Sequence, residues 1–184
     1  MPCRVLILFA HPMPRKSRVN RLLASSVRGM EGVTFHDLYE AYPDFDIDVD
    51  HEKSLLESHD VIVLQHPFYW YSAPALVKEW LDLVLQYGFA HGDNGTALRG
   101  KLWQQAITTG GPEDAYHEAG YNRFTIRQLL APFEQTAHLC GMVFQEPFVV
   151  HGVLPMTRSQ VETEALRYRS CIEQLLTSEV GHAS

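Results

Sequence analysis

The stretch that most constrains this chain is Arg4–Ala10, RVLILFA, an apolar run broken at once by His11–Pro12. A strand with one wet face alternates apolar and polar residues. A short run with no such alternation needs cover on both faces, as a central parallel strand has. Pro12 and Pro14 then stop the strand and shape a loop. Ser17 stands where a helix N-cap belongs, ahead of apolar positions Val19, Leu22, Leu23, Val27 and Met30, and Gly29 and Gly32 bracket the end. Strand, loop and helix within about thirty residues open a doubly wound α/β unit.

The same alternation continues. Val33–Tyr39 reads as a short, semi-alternating second strand near an edge, and Asp50–Ser58 as a short helix. His59–Gln65 is a third strand that runs into Pro67, an aromatic cluster and a helix over Pro74–Leu85 with an apolar stripe through Leu76, Val77, Trp80, Leu81, Val84 and Leu85. The glycine-rich Gly88–Gly100 is a long loop, and Lys101–Thr109 a fourth strand ending in Gly110–Gly111–Pro112. A helical pattern over Phe124–Cys140 holds Pro132 inside it, which predicts a kink or a split. Met142–Val153 is a fifth strand, bulged or broken near Pro147, and Thr157 caps a last amphipathic helix to Ser178. Right-handed crossovers make the sheet parallel by default. The expected fold is a flavodoxin-like three-layer sandwich with a five-stranded parallel sheet in the order 2-1-3-4-5. It forms one domain over residues 1–184, with 179–184 a flexible tail.

Composition excludes several classes. The formal net charge is -7 and no Lys/Arg block offsets it, so nucleic acid is not an expected partner. Cys3, Cys140 and Cys171 are far apart and odd in number, which argues against a disulfide framework and suits a reducing compartment. No apolar run is long enough to span a bilayer, and Val5–Ala10 is too short for a secretory core. Glu40–Asp50, EAYPDFDIDVD, carries five carboxylates but lacks the glycine and closing glutamate of a calcium loop, so it reads as an acidic surface loop. The histidines show no HExxH, and no metal site is expected.

In the order 2-1-3-4-5, the loops after strands one, three and four meet at one sheet edge. The first, His11–Asn20, brings imidazole, hydroxyl and amide groups to a helix N-terminus, which suits a phosphate, although Ser17 as a mere cap explains it equally well. It has neither GxxxxGK[ST] nor GxGxxG. The second holds Phe68, Tyr69, Trp70 and Tyr71. Four consecutive aromatics cannot all face one core, so one or two line a surface pocket suited to a planar ring. The third, Thr108–Gly111, allows close backbone approach, or is a plain turn. Tyr116 and His117 follow it and are placed to donate a hydrogen bond into a cavity, while His66 reads as structural.

HPxPxxSxxN after the first strand, LYxxYPDFxID after the second, HPFYWYSxPALxKEWLDxVL after the third and TTGG after the fourth resemble the flavodoxin-fold NAD(P)H:quinone oxidoreductases. The chain is most similar there to the ancillary proteins of glutathione-regulated potassium efflux antiporters. The resemblance covers Val5 to the last helix. It implies a flavoprotein that reduces quinones by two-electron ping-pong hydride transfer. FMN is the expected cofactor, with FAD the alternative. His11, Ser17, Arg18, Val19 and Asn20 would hold the flavin phosphate and ribityl chain, and Pro67, Phe68, Tyr69, Trp70, Thr108, Thr109, Gly110 and Gly111 the ring. Tyr116 matches a cavity tyrosine of the family, and His117 stands beside it where the family has a histidine a few residues later. The implied partners are NAD(P)H, a quinone, a second copy in a homodimer and an integral-membrane potassium efflux antiporter. The implied location is the cytoplasm, peripheral on the inner membrane. The rival reading is a weakly catalytic or non-catalytic antiporter-binding subunit, and an azo- or nitro-reductase is a third.

Overall fold

The structure is a computed structural model that describes residues 3–178, and the expected tail at 179–184 lies outside them. Strand β1, Val5–Phe9, is buried at every position. Alternate residues serve two cores: Leu6 and Leu8 face one, Val5 and Ile7 the other. Helix α1, Arg18–Val27, is capped by Ser17, whose hydroxyl accepts from the Asn20 amide at 3.2 Å. Strand β2, Val33–Asp37, is half-buried throughout, as an edge strand is. It ends two residues earlier than the sequence pattern suggests. The Asp37 carboxylate accepts from the Glu40 amide and starts a one-turn helix, α2, Leu38–Ala41.

The acidic segment is therefore helix, short loop and cap. Asp48 accepts from the His51 amide and caps α3, Val49–Glu57, while Tyr42 and Ile47 are buried beneath. Strand β3, Val61–Pro67, is buried at all seven positions, and helix α4, Ala75–Val84, follows the aromatic loop. Strand β4 is Leu102–Thr108. The 124–140 pattern splits into α5, Ile126–Leu129, and α6, Ala131–Leu139. The break falls at Leu130, just before Pro132. A proline ring clashes with the carbonyl four residues back, so Pro132 is tolerated only in the first turn of a new helix. The fifth strand position is likewise broken at Pro147 into β5, Val143–Phe144, and β6, Phe148–Val150, both parallel to β4. Helix α7, Arg158–Leu176, opens with the capping box of Thr157 and Gln160.

The sheet order is β2-β1-β3-β4-β5, parallel throughout, with β6 on β4 beside β5. One face is covered by α1 and α7 through Val19, Leu23, Tyr168 and Ile172. The other is covered through Leu56 of α3, Trp80 of α4 and Phe133 of α6. No described helix is long and apolar enough to cross a membrane.

One buried charge pins the edge of this second layer. Glu52 is 0 % exposed and accepts from Tyr42 Oη at 2.5 Å, Trp80 Nε1 at 2.7 Å and His36 Nε2 at 2.7 Å. Burial pushes its pKa up, but the bonds from His36, Tyr42 and Trp80 outweigh it and hold the carboxyl below its usual value of 4.5. His36, Glu52 and the exposed His51 have ligand atoms within 4.8 Å of one another. Yet donors already occupy both Glu52 oxygens, so the cluster is a hydrogen-bonded hub.

Removing Glu52 should therefore cost about 3–5 kcal/mol, as for other broken buried pairs, because three donors lose their acceptor. A depressed folded pKa stabilises above the unfolded value, and that stabilisation fades as pH falls through the folded one. Urea melts of the parent and Glu52→Gln should differ at pH 7 and converge as pH drops below 4.5.

Candidate active site

The C-terminal ends of β1, β3 and β4 release three loops onto one edge of the sheet, where two neighbouring cavities share Phe68 as a common wall. The first, about 410 Å³, is lined by His11, Ser17, Arg18, Val19 and Asn20 from the first loop, with Pro67, Tyr69, Thr108 and Gly110 across from them. The second, about 630 Å³, is walled by Trp70, Tyr71, Gly111, Tyr116 and Asn122.

The first cavity is built of donors. His11 is nearly buried, which lowers its pKa, so the ring is neutral near pH 7. Its Nδ1 accepts from the Met13 amide at 3.1 Å, which leaves the hydrogen on Nε2. At the start of α1 the Arg18 and Val19 amides have no acceptor among the described hydrogen bonds. Asn20 is 2 % exposed; its Nδ2 donates to Thr108 Oγ1 at 2.8 Å, and its Oδ1 has no partner. A buried acceptor left open beside a set of donors suits a ligand that carries both an anion and hydroxyls. Arg18 lines this cavity, but its guanidinium bonds the Leu154 and Met156 carbonyls at 3.5 and 2.9 Å, tying the loop after β6 to the start of α1.

The second cavity is aromatic because its backbone is forced. Ser72 N donates to Tyr69 O at 3.0 Å across a turn whose central residues, Trp70 and Tyr71, have φ of 49° and 61°. Positive φ at both central positions is a type I′ turn, normally made by Asn and Gly. Two bulky residues there carry strain, on the order of 1–2 kcal/mol each. The turn throws Trp70 into solvent, 92 % exposed, while Phe68 stays buried. His66 braces the turn from below. It is fully buried and its pKa is lowered by burial, so it has one N–H. Two acceptors face the ring, Pro67 O at 3.0 Å from Nδ1 and Gln105 Oε1 at 2.9 Å from Nε2, while Gln105 Nε2 has no partner.

Two expected residues stand elsewhere. Thr109 is fully buried behind the lining, its hydroxyl donating to Gly111 O at 2.8 Å. His117 is exposed, its Nδ1 accepts from the Ala119 amide at 3.2 Å, and it lines neither cavity. Asn122, which is not among the site residues expected from the sequence, lines the second cavity and accepts from Tyr71 Oη at 3.1 Å. Nothing in its local pattern marks it, since the contact spans two loops. The His151 ring, likewise unmarked by any local pattern, lies 5.5 Å from that of Tyr116 and does not line the second cavity.

Comparison with known proteins agrees with this fold. A family model described as Flavodoxin-like fold matches residues 3–172. The chain is 48% identical over 178 residues to a glutathione-regulated potassium-efflux system ancillary protein of Pectobacterium carotovorum, covering 97% of each. The crystal structure of general stress protein 14 of Treponema denticola, in complex with FMN, is 38% identical, with a TM-score of 0.90 over 94% of this chain and 99% of that one. An NADPH-quinone reductase structure from P. pentosaceus is 32% identical, with a TM-score of 0.84 over 97% and 99%.

The glycine pair offers a contrast. A Cβ at Gly110 would meet only Leu154 Cδ1 at 3.9 Å, whereas one at Gly111 would lie 3.3 Å from Tyr116 Cε2 and 3.4 Å from its Oη. Gly110→Ala should melt with the parent. Gly111→Ala should lose about 1 kcal/mol, at the low end of overpacking costs, and shift the Tyr116 ring signals in an NMR spectrum.

Proposed function

This chain belongs to the flavodoxin-like fold family and is closely related to the potassium-efflux ancillary proteins, and from that premise we propose that it is an FMN-dependent NAD(P)H:quinone oxidoreductase. The observation that carries the reading is the pairing of a donor-lined cavity holding the unpartnered Asn20 Oδ1 with an aromatic cavity across Phe68. FMN has a phosphate and hydroxylated chain at one end and a planar ring at the other, which is the same division. FMN is favoured by the Treponema denticola relative, whose structure contains it.

The His11 Nε2–H and the Arg18 and Val19 amides would bind the phosphate, and Asn20 Oδ1 would accept from a chain hydroxyl. Phe68, Tyr69 and Trp70 would flank the ring. When bound, FMN supplies two-electron hydride chemistry, taking a hydride from NAD(P)H and yielding it to a quinone in a second half-reaction. Burial raises the Tyr116 pKa, Tyr71 adds to the rise, and the neighbouring Thr109 and Asn122 side chains oppose it. Its O–H is thus intact at neutral pH and can donate into the second cavity. Exposed Trp70, at 92 %, and Tyr121, at 90 %, rim that cavity and suit contact with a second copy of the chain.

A regulatory role rests on a separate observation. Asp44, Phe45 and Asp46 are exposed, with Phe45 at φ 63°, away from both cavity linings. Together with the potassium-efflux ancillary role named for the Pectobacterium carotovorum relative, this favours docking on a potassium efflux antiporter at the cytoplasmic membrane face.

Purified protein should take up FMN, read as quenching of flavin fluorescence; protein that binds neither FMN nor FAD rules out the enzyme reading. Trp70→Ala should weaken FMN binding about tenfold, since aromatic stacking on a base is worth roughly 1–3 kcal/mol. Asp46→Asn should leave FMN binding unchanged and alter only antiporter-dependent potassium efflux.

A further inference from the structure

We infer that Asp114 makes the second cavity selective for cationic acceptors: a planar nitrogen heteroaromatic with a delocalised positive charge, of the phenothiazinium or phenazinium kind, is a substrate, and planar anions are disfavoured. This rests on the oxidoreductase reading above and names an acceptor class for the same site.

The two cavities differ in charge. The first is lined by His11, Lys16 and Arg18 and, among the described residues, by no carboxylate. The second has Asp114 as its charged side chain and, among the described residues, no Lys, Arg or His in its lining. The loop that builds it, residues 110–122, carries Glu113, Asp114 and Glu118 and no Lys or Arg. Arg123 follows that loop, exposed and outside the lining. Asp114 is itself exposed, and its carboxylate forms no hydrogen bond or ion pair among the described residues. A ligand therefore meets this carboxylate without first displacing a partner.

The backbone fixes where Asp114 stands. Glu113–Ala115 forms one 3-10 turn after Pro112. Ala115 N donates to Pro112 O at 3.1 Å, and Tyr116 N to Glu113 O at 3.0 Å. The loop then folds back, with Asn122 N donating to Ala115 O at 2.9 Å. A Cβ at Gly120 would stand 2.8 Å from the Asp114 carbonyl, so a glycine is needed for the two arms of the loop to close this tightly. The carboxylate is held at the cavity wall by a short, cross-bonded loop.

The remaining wall is aromatic. Phe68 is buried and Tyr116 half-buried. Tyr71 spends its O–H on Asn122 Oδ1 at 3.1 Å, so what it offers a ligand is its ring. Ring faces attract a delocalised positive charge through their quadrupoles, and Asp114 supplies the counterion beside them. An anion meets the same faces and the same carboxylate with the sign reversed. The formal net charge of -7 draws cations toward the protein in the same sense.

Charge also suits the reaction. A cationic acceptor takes one hydride from the reduced flavin, an N–H bond forms on its ring, and the product is neutral. No separate proton is required, whereas a quinone needs one to become a quinol. The neutral product no longer pairs with Asp114, so its hold on the cavity weakens as it forms.

Methylene blue tests this as the cation and anthraquinone-2-sulfonate as the anion. Asp114→Asn is compared with Glu118→Gln, which removes the same charge from the same loop outside the lining; both positions are exposed, and melting curves check both folds. Equilibrium dialysis is run on oxidised, FMN-loaded protein and on protein free of cofactor. The parent should bind methylene blue about tenfold tighter than the sulfonate. Asp114→Asn should weaken methylene blue about fivefold, the size of an exposed ion pair, and Glu118→Gln less than about twofold. In turnover with NAD(P)H, the kcat/KM preference for methylene blue over a neutral benzoquinone should fall by the same factor in Asp114→Asn, through KM. Methylene blue bound equally by the parent and Asp114→Asn, weakened as much by Glu118→Gln, or bound no tighter than the sulfonate overturns the inference. Failure of the protein to bind FMN would refute the oxidoreductase reading instead, and dialysis on the cofactor-free protein would still judge the role of Asp114.

Discussion

A parallel sheet buried on both faces leaves its backbone and side chains only one place to meet a ligand, the edge where the strands end. Here β1, β3 and β4 are sealed between two helical layers, and β3 and β4 each have seven successive buried residues. Polar groups that enter this sheet must find partners inside it. Several that do enter, Gln65, His66 and Gln105 among them, are arranged in lines that lead to the ligand edge.

One line crosses the whole molecule. Tyr168 of α7 donates to Gln65 Oε1 at 3.1 Å, and Gln65 Nε2 reaches the Asn20 carbonyl at 3.4 Å. Asn20 Nδ2 in turn holds Thr108 Oγ1 at 2.8 Å. Four elements thus position a single side chain of the cavity wall, whose remaining oxygen is buried with no protein partner. A second line runs from Gln105 through His66 to the Pro67 carbonyl and holds the base of a strained aromatic turn. The strain at Trp70 and Tyr71 is tolerated because both ends of the turn are anchored in β3 and α4. The Glu52 hub does the same for the far edge, fastening β2, the Tyr42 loop and α4 to one carboxylate.

Much of this is written locally. The two-faced apolar runs, the caps at Ser17 and Thr157 and the breaks before Pro132 and at Pro147 all follow from short-range sterics and hydrogen bonding, and the parallel sheet follows from the crossover rule. The ends of β2 and the start of α3 are less legible, because Asp37 and Asp48 act as caps through side-chain bonds that resemble ordinary acidic loop residues in a linear reading. His117 illustrates the opposite error: adjacency to Tyr116 in sequence suggested a shared cavity, yet neighbours in a loop point in different directions.

The sequence alone determined which loops converge and that an aromatic group and a phosphate-compatible helix start would share one edge. Those conclusions depend on periodicity and on local stereochemistry, which act over a few residues. Only the tertiary structure decided that Trp70 faces solvent while Phe68 is buried, that Thr109 stands behind the lining, that the Asn20 oxygen is left unpaired, and that Asn122 meets Tyr71. Each of these depends on where a side chain lands relative to an element far away in the chain. Tyr71 and Asn122, 51 positions apart, meet because two strands of one sheet end side by side, and no local pattern in either loop encodes that distance.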